Sequence, residues 1–519
     1  MTTAAHAPIP QGGPPQRGPG RPARPAPPPQ RSSDRSIAVA YGLFPGSLLL
    51  VGIGLPAFLG SFVRPSTGTF LLLLVAAYSG VRMVMVLFNG RDQILQLFFW
   101  IFSWVFFGLA PFAQLSAGRW PWPGSITEPT MVTVCGLILV SFASYDVGVL
   151  ASWRTDTKPL RPPVFTLSPR RLRLAAPIAI AICVIEIAQV GVGSLLSGRQ
   201  ARTQAVALGS AGAVDNVTAA INTALMVTTV FVVAYLFIRA KRLRMLARGW
   251  LWLLLLVALT VLVSNPTSAA RYRVAAVASG LVLAIVWPLG RARMMYLGAG
   301  ILAGIAFLFP ALNAFRRAGG TFSIGGSVVD SLRSGDYDAF QQIANTTLYV
   351  ADLGHTHGRQ LLSALLFFVP RSVWSGKSVD TGVLVATHQG YVFTNLSSPL
   401  QAEAYIDGGF PLLVIVFLVL GIVTGRFERR ARDALSQSSF VALLVPLVAA
   451  YQLIVLRGSL LQSMAGLVTL VLFTWLCMGR TKRTAAGLAD TTLVIGAALR
   501  EPMERGRPGV STPPTARND

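Results

Sequence analysis

Residues 93–115 read QILQLFFWIFSWVFFGLAPFAQL, 23 positions without one Asp, Glu, Lys or Arg. At about 1.5 Å of rise per residue, a helix of this length reaches across a hydrocarbon core about 30 Å thick. The run is apolar on every face. The strands of a membrane barrel alternate apolar with polar residues, so a barrel is excluded. Comparable runs recur from Ile37 to Met478, and the whole composition agrees with them. Of 519 residues, 53% are hydrophobic and only 12% charged, about half the charged fraction of a soluble protein. Mean hydropathy is +0.59.

The runs predict an all-α, polytopic transmembrane bundle of about twelve spans. Their limits are 37–60, 68–88, 93–115, 130–151, 174–197, 217–238, 249–264, 274–289, 294–314, 409–425, 438–455 and 459–478. Residues 1–36 are rich in Pro, Gly and Arg and poor in large apolar side chains, which predicts a disordered basic tail. The first apolar run continues into a span and no small-residue cleavage site follows it, so it does not read as a signal peptide. Residues 479–519 form a second basic tail. The transmembrane domain is 37–478.

Net charge is +24, from 44 Lys and Arg against 20 Asp and Glu. Such a balance suggests nucleic acid in a soluble protein. Here it follows from loop position instead. With an even number of spans and both tails cytoplasmic, the short inside loops hold eighteen Lys and Arg and the outside mouths hold seven. That is the expected positive-inside bias, and it leaves no call for a nucleic-acid partner. Cys135, Cys183 and Cys477 all fall inside apolar runs, so neither disulfides nor thiolate metal sites are expected.

One connection, 315–408, is expected outside, between spans nine and ten. Its 94 residues carry six Lys and Arg and seven Asp and Glu. Phe340, Tyr349, Trp374, Tyr391 and Tyr405 make it unlike a disordered linker. Residues 328–350 suit an amphipathic helix. Leu361–Val369 is apolar but too short to span, which predicts an interfacial or re-entrant segment ended by Pro370.

No soluble catalytic motif occurs: no Walker loop, no HExxH and no GxSxG. Polar residues near the outer face remain. Arg199 and Arg202 follow the fifth span, Arg271 and Arg273 open the eighth, Arg316 and Arg317 follow the ninth, and Arg371 and Lys377 lie in the loop. A guanidinium grips phosphate oxygens through two parallel bonds and keeps its charge. As a set, these cations suit a pyrophosphate on a lipid carrier. Each alone also suits a side chain snorkelling to lipid headgroups. Glu403 precedes the tenth span, where a carboxylate suits a general base on a sugar hydroxyl or a salt-bridge partner of an arginine such as Arg371. Asp336, Asp338, Asp352 and Asp407 share that face. Glu186 lies midway along the fifth span, as a functional acid or as a buried partner for an arginine such as Arg271. His355, His357 and His388 do not have the spacing of a recognised metal signature, so no metal and no cofactor is expected.

The stretch 336–425 resembles bacterial oligosaccharide repeat-unit polymerases, the Wzy-type O-antigen and exopolysaccharide family. FVPRSVWSGK at 368–377 is similar to the family's Pro-Arg, Trp and Lys pattern, with Ser378 where Pro often follows. NLSSPLQAEAYIDGG at 395–409 is similar to its Glu-x-Tyr and glycine pattern. The resemblance implies a metal-independent glycosyltransferase of the bacterial plasma membrane. Such an enzyme transfers a glycan from one undecaprenyl pyrophosphate to the sugar of another lipid-linked repeat unit. With Arg271 and Arg273 at a helix mouth and Arg371 and Glu403 in the family-like motif, catalytic roles are expected for Glu403, Arg271, Arg273 and Arg371. Substrate binding would fall to Arg199, Arg202, Arg316, Arg317, Lys377, Asn395 and Tyr405. Membrane lipid, a chain-length regulator and a flippase are the partners it suggests. Two rivals remain. One is a lipid-linked oligosaccharide flippase or other polysaccharide transporter. The other is an O-antigen ligase-like transferase, although Thr394-Asn395 stands where ligases usually carry His-Asn.

Overall fold

A computed structural model of the chain describes residues 43–89, 91–154, 164–196, 216–266, 268–308, 328–394, 396–434 and 436–480. The expectations for the two tails fall on residues outside these. The described chain is helical, apart from one two-stranded antiparallel ribbon of β1 (Phe165–Leu167) and β2 (Met478–Arg480).

Each of the twelve expected stretches contains a helix. They are α1 (Leu43–Gly60), α2 (Thr67–Phe88), α3 (Ile94–Ser116), α4 (Glu128–Arg154), α5 (Pro169–Val190) and α6 (Asn216–Arg242). Then come α7 (Trp250–Val263), α8 (Arg271–Val286) and α9 (Arg291–Ala303). The loop region supplies α10 (Ala339–Leu353), α11 (Arg359–Leu365) and α12 (Thr381–His388). Last are α13 (Leu400–Arg432), α14 (Phe440–Arg457) and α15 (Leu460–Leu476). Eight of them are long and apolar enough to cross a membrane: α1 to α6, α13 and α14. Among the described residues, the expected twelve thus stand at eight by this measure. Helices α7 and α15 are apolar but 14 and 17 residues long, and α8 and α9 have 16 and 13. Helix α8 stops where Pro288 removes a backbone donor, and α9 passes into a wider π turn at Gly304–Leu308.

Helix α3, apolar all round, is also buried all round: every residue from Gln93 to Gln114 is buried. It is the central post of the bundle, as an uninterrupted apolar surface requires. Pro111 cannot donate to the preceding turn, and Trp104–Leu109 is a π segment. The Phe99 ring stacks on Tyr145 of α4 at 3.9 Å between centroids.

The closest helix pair is α4 with α13. A Cβ on Gly421 would overlap the Tyr145 carbonyl, and one on Gly148 would overlap the Leu418 carbonyl. Gly421 and Gly425 on one helix, with Gly148 and Ser152 on the other, are small residues four apart. That spacing lets two helix backbones touch in a lipid setting. Glu128, the first residue of α4, accepts from Gly68 N at 2.6 Å and from Ser66 Oγ at 3.0 Å. It thereby caps the neighbouring α2 with a negative charge at its N-terminus.

Helix α13 changes direction at Gly408 and Gly409. Gly409 has φ 65° and ψ −154°, a conformation open essentially to glycine alone. The turn separates a short arm, 400–407, from the long apolar shaft. At that same end, the helix expected over 328–350 is interrupted. Val328–Leu332 and α10 are separated by a tight turn at Gly335–Tyr337, because this turn reaches across to α14. The apolar run Leu361–Val369 is helical only to Leu365 and packs against α13 and α15.

Candidate functional site

The hub is the turn between α14 and α15. Arg457, in the last turn of α14, donates from Nε to Asp336 O at 3.1 Å. Its Nη2 reaches Gly335 O and Asp338 Oδ1, both at 3.3 Å. Asp338 is fully buried. Its other contacts are Ser397 Oγ at 2.6 Å and Trp122 Nε1 at 2.8 Å. Ser398 N donates to Arg457 O at 3.0 Å. One buried carboxylate thus ties together the α3–α4 loop, the turn before α10, the approach to α13 and the end of α14. A buried charge is stable only when paired and bonded in this way. Burial also pushes the phenol of the adjacent Tyr337 well up.

Arg271, the first residue of α8, is 8% exposed and forms an ion pair with Asp336. It also rims a long apolar trench of about 630 Å³. Helices α8 and α9 form the trench walls, and Phe98, Ile101, Phe102 and Phe106 of α3 line it too. Arg293 and Tyr296, at the start of α9, lie along the same trench. An apolar channel along a helix pair, with a cation at its rim, suits an amphiphile with a long tail and an anionic head.

Two residues on, Arg273 faces a second space. It lines a small cavity of about 60 Å³ with Tyr272, Tyr451, Ser459, Gln462 and Ser463. Behind Ser459 and Gln462 lies a pair of buried acids. Asp380, 2% exposed, accepts from Gly382 N at 2.8 Å, with Ser459 and Gln462 beside it; among the described residues, its Oδ2 and the Ser459 Oγ have no hydrogen-bond partner. Burial raises its carboxyl above the usual range. Glu403, 4% exposed, accepts from Thr381 Oγ1 at 2.8 Å and from Leu460 N at 3.2 Å. Of the two roles expected for Glu403, base or arginine partner, its bonds here are to a hydroxyl and a backbone amide, with a second acid nearby.

The motif cations of the loop do other work. Arg371 donates to Lys377 O and Ser378 O, each at 2.9 Å. Lys377, 8% exposed, donates to Phe367 O at 2.7 Å and Val369 O at 2.8 Å. Both close the 367–378 loop on itself, whereas Arg271 and Arg273 flank the α14–α15 turn. Tyr405 sets its ring edge-on to His355 at 5.6 Å, and the His355 Nδ1 lies 3.0 Å from Tyr405 O. His388 contacts Asp352 at 3.1 Å. Glu186 is buried in α5; the acid that Arg271 meets is Asp336. Arg199, Arg202, Arg316, Arg317 and Asn395 lie outside the described residues. Among the described residues, no three His, Cys, Asp or Glu converge as a metal site.

Sequence reading missed Asp380 and the central part played by Arg457. Asp380 precedes Thr-Gly and caps α12 through its Gly382 bond, so an ordinary N-cap signal concealed it. Arg457 is a lone cation at a Gly-Ser turn between two apolar helices, and that isolation was its one signal. Set against known proteins, the chain matches no family model, no curated protein and no solved structure.

Proposed function

We propose that this chain polymerises undecaprenyl-pyrophosphate-linked oligosaccharide repeat units at the external face of a bacterial plasma membrane. In this reading the bundle has twelve spans, both termini are cytoplasmic and the 315–408 connection is external. The observation that carries it is the joining of Arg271 to an apolar trench of about 630 Å³, with Arg273 and Arg457 beside it. The trench suits a polyisoprenoid tail, and the arginines suit its pyrophosphate. The motif resemblance over 336–425 supports the same chemistry.

The acceptor hydroxyl attacks the anomeric carbon as the bond to pyrophosphate breaks. Electrons leave with the pyrophosphate, and fixed guanidinium groups stabilise the charge that builds there. The hydroxyl proton must leave as well. Glu403 is enclosed, so it receives that proton through Thr381. Arg371 and Lys377 hold the loop that covers this end.

The transporter reading has one observation in its favour. The trench touches both the start of α8 and the start of α9, with Arg271 and Arg293 along it, as a path for a lipid headgroup would. Complementation of a polymerase-deletion strain separates the two. A polymerase restores a ladder of chain lengths on the surface, and Arg271→Ala at matched protein level reduces it to single units. Restoration of single surface units alone, with no ladder from the wild-type chain, favours transport.

A further inference from the structure

We propose that Asp380 and Glu403 share one proton, and that Asp380 is a positioning residue linking Glu403 to the polar cavity at Arg273. The inference deepens the polymerase reading, since it names the route of the released proton.

Three observations carry it. Both acids are almost wholly enclosed, at 2% and 4% exposure. The residues around them are adjacent: Thr381 bonds Glu403 while its neighbour Asp380 caps the same helix, and Leu460 N bonds Glu403 while its neighbour Ser459 lies beside Asp380. The carboxyls therefore lie close enough to repel one another when charged. Two like charges enclosed together cannot both ionise at moderate cost, so one proton stays with the pair. Third, Ser459 and Gln462 lie beside Asp380 and also line the Arg273 cavity, and among the described residues Asp380 Oδ2 and Ser459 Oγ are each buried without a hydrogen-bond partner. That cavity has room for a few water molecules.

Among the described residues, the surrounding charges leave the pair without a counter-ion of its own. Arg457 is engaged by Asp338, Arg359 by Gly376 O, His388 by Asp352, and Asp407 by the first turn of α11. Tyr272 and Tyr451 contribute hydroxyls, and Arg273 is the cation across the cavity. In the reaction, the acceptor O–H bond breaks as the new glycosidic bond forms. The proton enters the pair through Thr381 and Glu403. It leaves from Asp380, past the Ser459 hydroxyl, to water beside Arg273. No oxidant or further reactant is needed.

Infrared titration of the purified full-length protein in nanodiscs tests the pair without any assay of activity. The signal is the carbonyl band of a protonated carboxyl, compared in wild type, Asp380→Asn and Glu403→Gln. One band should survive through neutral pH in wild type, and in each variant the remaining acid should ionise at least about one pH unit lower. Asp380→Glu, which keeps two acids, should retain the wild-type midpoint and guards against a folding defect in Asp380→Asn. Two bands that disappear independently, each without shifting the other, would overturn the proposal. The functional arm uses the pH profile of chain growth. Asp380→Asn should slow growth by about 10²-fold and move the profile, with binding of lipid-linked repeat unit retained. An unmoved profile would overturn the relay. Absence of any polymer from wild type would count against the polymerase reading, and the infrared result would still decide the pair.

Discussion

A guanidinium only 8% exposed, as Arg271 is, must keep a partner, and Asp336 supplies it. At 31% exposure Asp336 is the more accessible member, so an incoming phosphate can exchange with it. Replacing Arg271 by Lys keeps the charge but loses the two-pronged grip. Chain growth should fall by about 10²–10³-fold in Arg271→Ala and remain impaired in Arg271→Lys, as read by polymer length at matched protein level. Arg371 should behave differently, because its donors hold Lys377 O and Ser378 O. Arg371→Ala should loosen the 367–378 loop, seen as faster proteolysis there, before it affects the chemistry. A third residue gives a pH signature far from the site. Burial lifts Asp92 from 3.8 to about 6, opposed by Arg432. The folded protein thus binds this proton more tightly than the unfolded chain does. Its contribution to stability is full below about pH 4 and is lost as pH rises through about 6. Asp92→Asn should therefore raise Tm at neutral pH and leave it unchanged at about pH 4. Charged residues at helix mouths, such as Arg271 and Glu403, were legible in the sequence because lipid makes them conspicuous. Asp380 was not, since its capping role looks ordinary until the fold sets it beside Glu403.

Helix packing accounts for the frame that holds these residues. Gly421 and Gly148 let α13 and α4 meet backbone to backbone, where a side chain would overlap a carbonyl. Overpacking typically costs about 1–3 kcal/mol, and a backbone clash cannot be relieved by a rotamer change. Gly421→Leu should lower Tm in detergent and reduce the yield of folded protein, while Gly136→Ala, at a glycine with open space around it, should do neither. Helix positions were legible, because continuous apolar runs fix them. Their lengths were less so. Pro288 cuts α8 at Val286, and the Gly304–Leu308 π turn ends the regular part of α9. The break between Leu332 and Ala339 was hidden because its cause, the reach to Arg457, lies more than a hundred residues away in sequence.

At the scale of the whole molecule, one end of the bundle gathers the polar network and the other carries the β1–β2 ribbon and the basic turn around Arg244. If the polar end is external, a cysteine placed at exposed Ser372 should label in intact cells with an impermeant reagent, and one at exposed Ala247 should not. The native Cys135, Cys183 and Cys477 are buried and should give little background. The reverse pattern would invert the topology and remove the site from the outer face. The central claim, that the cation-rimmed trench serves chain growth, has a more direct test. The purified protein, reconstituted in liposomes with undecaprenyl-pyrophosphate-linked repeat units, should by itself produce a ladder of lengthening glycans. The Arg271→Ala, Arg273→Ala double variant should leave single units. A ladder of wild-type length from the double variant, or lipid-linked units moved across the bilayer without lengthening by the wild type, would contradict the account.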